Sequence, residues 1–415
     1  MIFSLDVRPA RKGDCMLLHW GEPSDPRLML IDGGPANVFT PHLAPRLEEI
    51  RNARGLSEDD VLPVDVLCVS HIDDDHIHGI LDMTGQLLAT RASRRQVPIH
   101  ILGCWHNSFD DLIGNSQKET SASITAQFGT AALNGQPPEH GDIEPDAARI
   151  LASVEQGHRL RSDAEALEIA INPQFENALI VAKQGEEPLT LDGGLTVTVI
   201  GPMEAELEAL RKKFTEWLRE QRRRRRDAEA ALAAFADKSV PNLSSIVLLV
   251  EMNGRKILLT GDARGDKILE GLELAGHLPS EGSLHVNVLK VPHHGSSNNM
   301  ERIFFERVTA DHYVFSGDGE HGNPERATLE MLFEARGDKP FTLHFTYPVQ
   351  SIDQKRVSDR EKAHKRGHAV SEWLDERDAL ETLFASRNME AHSQRIIFSE
   401  PDRSHVIDLG SPLGF

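Results

Sequence analysis

Val64-Asp65-Val66-Leu67-Cys68-Val69-Ser70-His71-Ile72-Asp73-Asp74-Asp75-His76-Ile77-His78-Gly79 changes character at Ser70. Its first half is an apolar, β-branched run of the length of a buried strand. Its second half puts six ligand-type residues into the eight positions from His71 to His78. A loop leaving a strand can bring several side chains to one point, and imidazoles and carboxylates at this density suit a metal or acid–base cluster. A polar loop that caps the next helix through Asp75 accounts for one aspartate and leaves the rest unexplained.

Two further clusters follow the same plan. Leu258-Leu259-Thr260-Gly261-Asp262 sets an aspartate at the end of an apolar strand, beside a glycine that permits close backbone approach. Alone, an aspartate there reads equally well as a turn former. Val291-Pro292-His293-His294-Gly295-Ser296 again follows a strand, and adjacent histidines are hard to read as solvated surface. Three strand-end clusters in one chain favour one shared site.

Around them the chain alternates short strands with helices, which predicts a layered α/β arrangement. Strands are expected at Phe3–Val7, Cys15–Trp20, Arg27–Ile31, Val97–Leu102, Ala178–Ala182 and Leu195–Ile200. Asn253-Gly254 between Ser245–Glu251 and Lys256–Thr260 predicts a hairpin with a type I′ turn. Further strands are expected at Val286–Val291, His312–Phe315, Phe341–Phe345, Arg395–Phe398 and His405–Leu409. A helix is expected over Pro41–Ala53, two helices divided at Gly157 over Glu144–Ile171, and mostly helical structure over Lys355–Ala385. Met203–Ala236 carries Leu207, Leu210, Phe214 and Trp217 at helical spacing without Pro or Gly, which predicts one long helix.

The 415 residues are 39% hydrophobic and 27% charged, the composition of a folded chain. No apolar run approaches the ~20 residues a membrane span needs, and the N-terminus lacks a basic and apolar leader, so a cytoplasmic protein with no membrane partner is expected. Cys15, Cys68 and Cys104 lack CxxC spacing and suggest neither a disulfide framework nor a thiolate zinc site. A net charge of -20 argues against a broadly basic nucleic-acid surface and restricts any polyanionic substrate to a local positive patch.

Asp32-Gly33-Gly34, His71-x-Asp73-x-Asp75-His76, Thr260-Gly261-Asp262 and Pro292-His293-His294-Gly295-Ser296 occur in the order found in the metallo-β-lactamase superfamily. Together with Asp6-Val7, Gly13-Asp14 and Asn242-x-Ser244-Ser245, they resemble the ComEC-type hydrolase domain and its soluble relatives. The resemblance covers 1–105 and 240–330. It implies an αββα sandwich with helical insertions and metals at one edge. Residues 1–415 then form one such domain, carrying a helical insertion at 110–172, a helical arm at 203–238 and a C-terminal helical accessory element at 352–390.

The resemblance further implies that His71, Asp73, Asp75, His76, Asp262 and one or both of His293 and His294 hold two divalent ions, with Asp262 as the bridge. Aspartate stands at 73 where histidine is commonest, and this harder donor set shifts preference toward Mn²⁺ or Mg²⁺ without excluding Zn²⁺. Two cations would lower the pKa of a shared water, with Asp75 part of the reacting centre, and clamp the oxygens of a phosphodiester. His78 stays open as a ligand, a partner of a ligand or a plain helix residue. Lys290 is a candidate for binding substrate phosphate or a snorkelling strand-end lysine. Ser296 joins the substrate-binding candidates. His321, in Ser316-Gly317-Asp318-Gly319-Glu320-His321-Gly322, reads from the residues equally well as an incidental histidine of a surface loop, but it resembles the histidine of a closing loop and on that resemblance is expected to serve the chemical step or hold substrate.

The function expected is therefore metal-dependent phosphodiester cleavage of a nucleic acid or nucleotide. The alternatives are a hydrolase of small esters, lactones or thioesters, or a metal-binding component of a multiprotein, defence-type system. Arg222–Arg226 reads either as a nucleic-acid contact or as a solvated helix self-paired at i, i+4, and the 203–238 arm is also a candidate docking site for a protein partner.

Overall fold

A computed structural model describes residues 1–57, 59–113, 145–208, 211–212, 244–365, 367, 370–387, 389–400 and 404–415. The expected arm therefore lies almost wholly outside the described residues, and Arg222–Arg226 entirely so.

The first sheet contains β1 (Ile2–Val7), β2 (Met16–Glu22), β3 (Asp25–Ile31), β5 (Val66–Val69), β7 (Cys104–His106) and β16 (His405–Asp408), while β4 (Leu62–Val64) pairs separately with β6 (Ile99–Ile101). Its order is β16-β1-β2-β3-β5-β7, antiparallel up to β3 and parallel beyond. The second sheet contains β8 (Leu189–Leu191), β9 (Leu195–Gly201), β10 (Val247–Met252), β11 (Arg255–Leu259), β12 (Leu284–Lys290), β13 (Val308–Phe315), β14 (Phe341–Phe345) and β15 (Gln394–Phe398). These run β15-β14-β13-β12-β11-β10-β9-β8, parallel from β11 to β15.

The helices are α1 (Ala44–Ala53), α2 (Asp74–Ala92), α3 (Phe109–Ile113), α4 (Pro145–Leu167), α5 (Gly265–Leu274), α6 (Arg302–Arg307), α7 (Arg326–Arg336), α8 (Val349–Lys365), α9 (Asp375–Asp378) and α10 (Leu380–Ala385). Strand alternation sorts the apolar residues into three cores. Phe3, Leu5 and Val7 of β1 join Val197, Leu248, Ile257 and Val314 in a core shared by both sheets. Leu17, Leu30 and Leu67 face a core with α1, α2 and α4, whereas Leu289, Tyr313, Phe315 and Leu343 face one with α5, α6, α7, α8 and α10. On the opposite face of β1, buried Asp6 accepts from Arg46 Nε of α1 at 2.6 Å. No helix among the described residues is long and apolar enough to cross a membrane.

The hairpin forms as expected, with Asn253 at φ 50° and Gly254 at φ 73° between β10 and β11. Two expectations need correction, and one strand lies where none is expected. Residues 178–182 form no regular strand; they carry one bridge, Ala182 to Met203. Ile180 pairs its N–H and carbonyl with the Asn107 side amide instead of a neighbouring strand. β8 was not foreseen, being three residues between turns. And α4 runs unbroken through Gly157, where an added Cβ would stand 3.3 Å from Ile72 Cγ2, so this glycine serves close packing against the His71–His76 loop rather than a helix stop. α4 is bolted to α2: Gln156 Nε2 donates to Asp74 Oδ1 at 2.8 Å, Arg159 to the Leu81 carbonyl at 3.1 Å, and Thr84 Oγ1 to Asp163 Oδ2.

Candidate metal centre

Parallel strands deliver the loops that follow them to one edge of a sheet, and β11, β12 and β13 end at Leu259, Lys290 and Phe315. The loop after β5 meets them there, since Ile246 N–H donates to the Ser70 carbonyl at 2.9 Å. Two glycines hold this loop. Gly33 N–H donates to the His76 carbonyl at 2.7 Å and Gly79 N–H to the Gly34 carbonyl at 2.9 Å. A Cβ on Gly79 would lie 2.0 Å from the Gly33 carbonyl oxygen, so the start of α2 docks where only glycine fits. Gly13 repeats the device, its absent Cβ 1.8 Å from the Asp75 carbonyl oxygen.

Asp262 stands at the middle. Its Oδ1 is 3.3 Å from His76 Nε2 and 3.4 Å from His294 Nε2, and its Oδ2 is 3.6 Å from His293 Nε2 and 3.9 Å from His71 Nε2. Asp75 Oδ2 lies 3.9 Å from His294 Nε2. Donors bound to one tetrahedral ion at about 2.0–2.2 Å stand about 3.3–3.6 Å apart, so these separations match those across a coordination shell. His71, His76 and Asp262 form one group of donors within 4.8 Å of one another, and Asp75, His76 and His294 a second. Nε2 of His71, His76 and His294 and Oδ1 of Asp262 are buried without a hydrogen-bond partner. Buried polar atoms are almost always paired, so four orphans gathered around Asp262 are donors that could hold a metal.

The far side of each imidazole is held. His76 Nδ1 donates to Asp32 Oδ2 at 2.8 Å, and Asp32 also accepts from Ser70 N and Oγ at 2.7 Å each. His294 Nδ1 faces Asp14 Oδ1 at 3.3 Å and Ser316 Oγ at 3.2 Å, and His71 Nδ1 faces Ser70 Oγ at 3.1 Å. Such partners fix the tautomer and would leave Nε2 free for an ion.

Burial, helped by His76, holds His71 neutral well below its usual range. Burial would do the same to His294, but the Asp262 and Asp14 carboxylates outweigh it and push that imidazole up to about 9. For His76, burial is likewise outweighed by Asp262 and Asp32. Against its own burial, Asp262 is held well below the usual carboxylate range by His294, His76 and His293. The side chains of Asp75 and His293 are 22% and 31% exposed, against 5% or less for His71, His76, Asp262 and His294, so the cluster opens to solvent on their side.

His71, Asp75, His76, Asp262, His293 and His294 thus converge. Asp73 belongs to neither group; it stands at the N-cap of α2, where Ser153 Oγ donates to it at 3.4 Å. Asp74 turns away to His78 Nδ1 at 2.8 Å and Gln156, which makes His78 a partner of Asp74 rather than of the cluster. Lys290 is not available to substrate: its side chain is wholly buried on Asp14 and the Gly261 carbonyl. Ser296 Oγ is engaged by Glu325 Oε1 at 3.3 Å. His321 is exposed and lines a cavity of about 590 Å³ with Glu325, Arg356 and Arg360, and no cluster residue borders that cavity, so it does not close over the cluster. Asp14 and Asp32, absent from the expected site residues, are buried parts of it; their signal was the glycine beside each.

No family model matches the chain. Among curated proteins, 64 residues are 39% identical to microtubule-associated protein 1A of Mus musculus, covering 14% of this chain. The chain spans 2% of that protein's length, too little to carry a family or an activity across.

Proposed function

We propose that the chain is a metal-dependent hydrolase with the αββα arrangement of the metallo-β-lactamase fold, holding two divalent cations and cleaving phosphodiester bonds. The observation that carries this reading is the set of four buried, unpartnered donor atoms on His71, His76, His294 and Asp262. Bound there, divalent cations would supply Lewis acidity toward a phosphoryl oxygen and bring a water's pKa toward neutrality.

The chain's own residues prepare that chemistry. His71, neutral through burial, presents a lone pair without first losing a proton. Asp32 and Asp14 keep His76 and His294 turned inward. Asp262 turns one oxygen toward His76 and His294 and the other toward His71 and His293, and Asp75 and His293 line the open side where a substrate would enter. The carboxylate-rich surroundings suit Mn²⁺ or Mg²⁺ as well as Zn²⁺. One observation favours a second reading, hydrolysis of a small ester, lactone or thioester: with Lys290 buried on Asp14, the ammonium expected to meet a phosphate is already used.

The test is to load the purified chain separately with Mn²⁺, Mg²⁺ and Zn²⁺ and assay single-stranded DNA, duplex DNA, RNA, cyclic nucleotides and an ester panel. Cleavage of a phosphodiester that a chelator abolishes and added metal restores is the expected result. Turnover confined to the ester panel would favour the second reading, and a chain that takes up no metal would end both.

A further inference from the structure

Lys290 ends β12 with its ammonium out of contact with water. Its Nζ lies 2.5 Å from Asp14 Oδ2, donates to the Gly261 carbonyl at 3.0 Å, and stands 3.8 Å from Asp262 Oδ1. The other oxygen of Asp14 faces His294 Nδ1 at 3.3 Å and accepts from Ser316 Oγ. Asp14 is thus divided between a cation behind it and a cluster histidine before it.

Asp14, Asp262 and His294 also bring their donor atoms within 4.8 Å of one another, as do Asp14, Asp32 and His76. A buried carboxylate at such a place attracts any cation that can reach it, and a buried ammonium is tolerated only when paired. We propose that Lys290 is a positioning residue, a built-in cation that occupies Asp14, keeps it turned to His294, and prevents it from joining the coordination of the divalent ions. This rests on the reading that the cluster binds such ions. Lys290 therefore confines them to the two groups built on Asp262 and Asp75.

The consequence is a pair of substitutions with opposite signs. In Lys290→Met the buried Asp14 loses its compensating charge and becomes an extra anionic ligand, so the chain takes up metal more tightly, with an equivalent beyond the wild type. In Asp14→Asn the ammonium keeps no carboxylate nearer than Asp262 Oδ1 and competes with metal for that oxygen, so uptake weakens. The double variant removes both charges and returns toward wild type. A residue needed only for packing would weaken binding in both single variants.

Elemental analysis after dialysis against Mn²⁺ or Zn²⁺, competition titration with a chelating dye, and circular dichroism to confirm folding make the measurement. The expected result is a gain of about tenfold in affinity for Lys290→Met and a loss of about tenfold for Asp14→Asn, the scale on which residues behind metal ligands act. Shifts of the same sign, or none in folded variants, overturn the proposal. Should Lys290→Met not fold alone, the double variant decides: binding restored above that of Asp14→Asn supports the proposal, and binding no tighter than Asp14→Asn overturns it. A wild-type chain that binds no metal instead removes the reading beneath it, so the two failures are distinguishable.

Discussion

Asp262→Asn is expected to strip most of the bound metal and to lower metal-dependent turnover by more than about a hundredfold, beyond the usual cost of losing a residue behind a ligand. The carboxylate turns Oδ1 toward His76 and His294 and Oδ2 toward His71 and His293. An amide of the same shape keeps one neutral oxygen and replaces the other with an NH₂ group that has no lone pair to give. One pair of histidines therefore loses its anionic neighbour and gains hydrogens aimed at imidazole nitrogens. Asp74→Asn, three residues from His71 in sequence but bonded to His78 and Gln156, should change metal content and turnover by no more than a few-fold. Elemental analysis and the phosphodiester assay on both variants make the comparison. Equal, negligible effects would sink the placing of Asp262 at the centre.

The contrast between Asp262 and Asp74 also marks how far sequence alone reaches. Strand-end clusters were legible because hydrophobic runs stop abruptly before them, and parallel strands then bring those ends together. Asn253-Gly254 was legible because both residues of a type I′ turn need positive φ. What lay behind the histidines was not. Whether Lys290 meets water or the interior depends on what stands opposite it, and Asp14 lies 276 positions earlier in the chain. Lys290 does share its strand face with Val288, a member of the core between the sheets, so the alternation along β12 held a hint of burial.

Helix breaks and loop positions misled for a different reason. Gly157 lowers helix propensity, but close packing against Ile72 makes a glycine useful inside α4, and tertiary context overrides a propensity cost of about 1 kcal/mol. His321 follows the cluster histidines in chain order, yet Gly319 and Gly322, with φ of 99° and 90°, carry its loop toward α8, where Asp359 accepts the His321 N–H at 3.1 Å. Chain order says nothing about such a turn.

Away from the metal cluster, lowering the pH from 7 to 4 should destabilise the metal-free chain through a ladder of histidines, and His405→Gln should remove much of that sensitivity. His312 Nδ1 lies 2.9 Å from His344 Nε2, His344 Nδ1 lies 2.7 Å from His405 Nε2, and His405 Nδ1 lies 2.8 Å from Ser399 Oγ. The ladder joins β13 and β14 of one sheet to β16 of the other. A neutral imidazole has one donor and one acceptor, so the three uncharged rings pair in sequence when they share one tautomer direction, and two adjacent imidazoliums would set donor against donor. Burial sets this: it holds His344 well below its usual range, with His405 and His312 adding to the effect, and lowers His312 against the opposing pull of Asp311. His405 falls to about 4, mainly through burial, with Asp6 opposing and Arg8 assisting. Because the folded value lies below the unfolded one near 6.5, the unfolded chain binds the extra proton first. The stabilisation is then full above about pH 6.5 and is lost as pH falls through 4, a change of about 3 kcal/mol from His405 alone. Denaturant titrations from pH 7 to 4 in chelator should show a steeper fall for wild type than for His405→Gln. His71, also kept neutral by burial, titrates in the same direction, so the difference between the two chains, rather than either curve, carries the test. Parallel curves would mean that the ladder accepts protons without breaking.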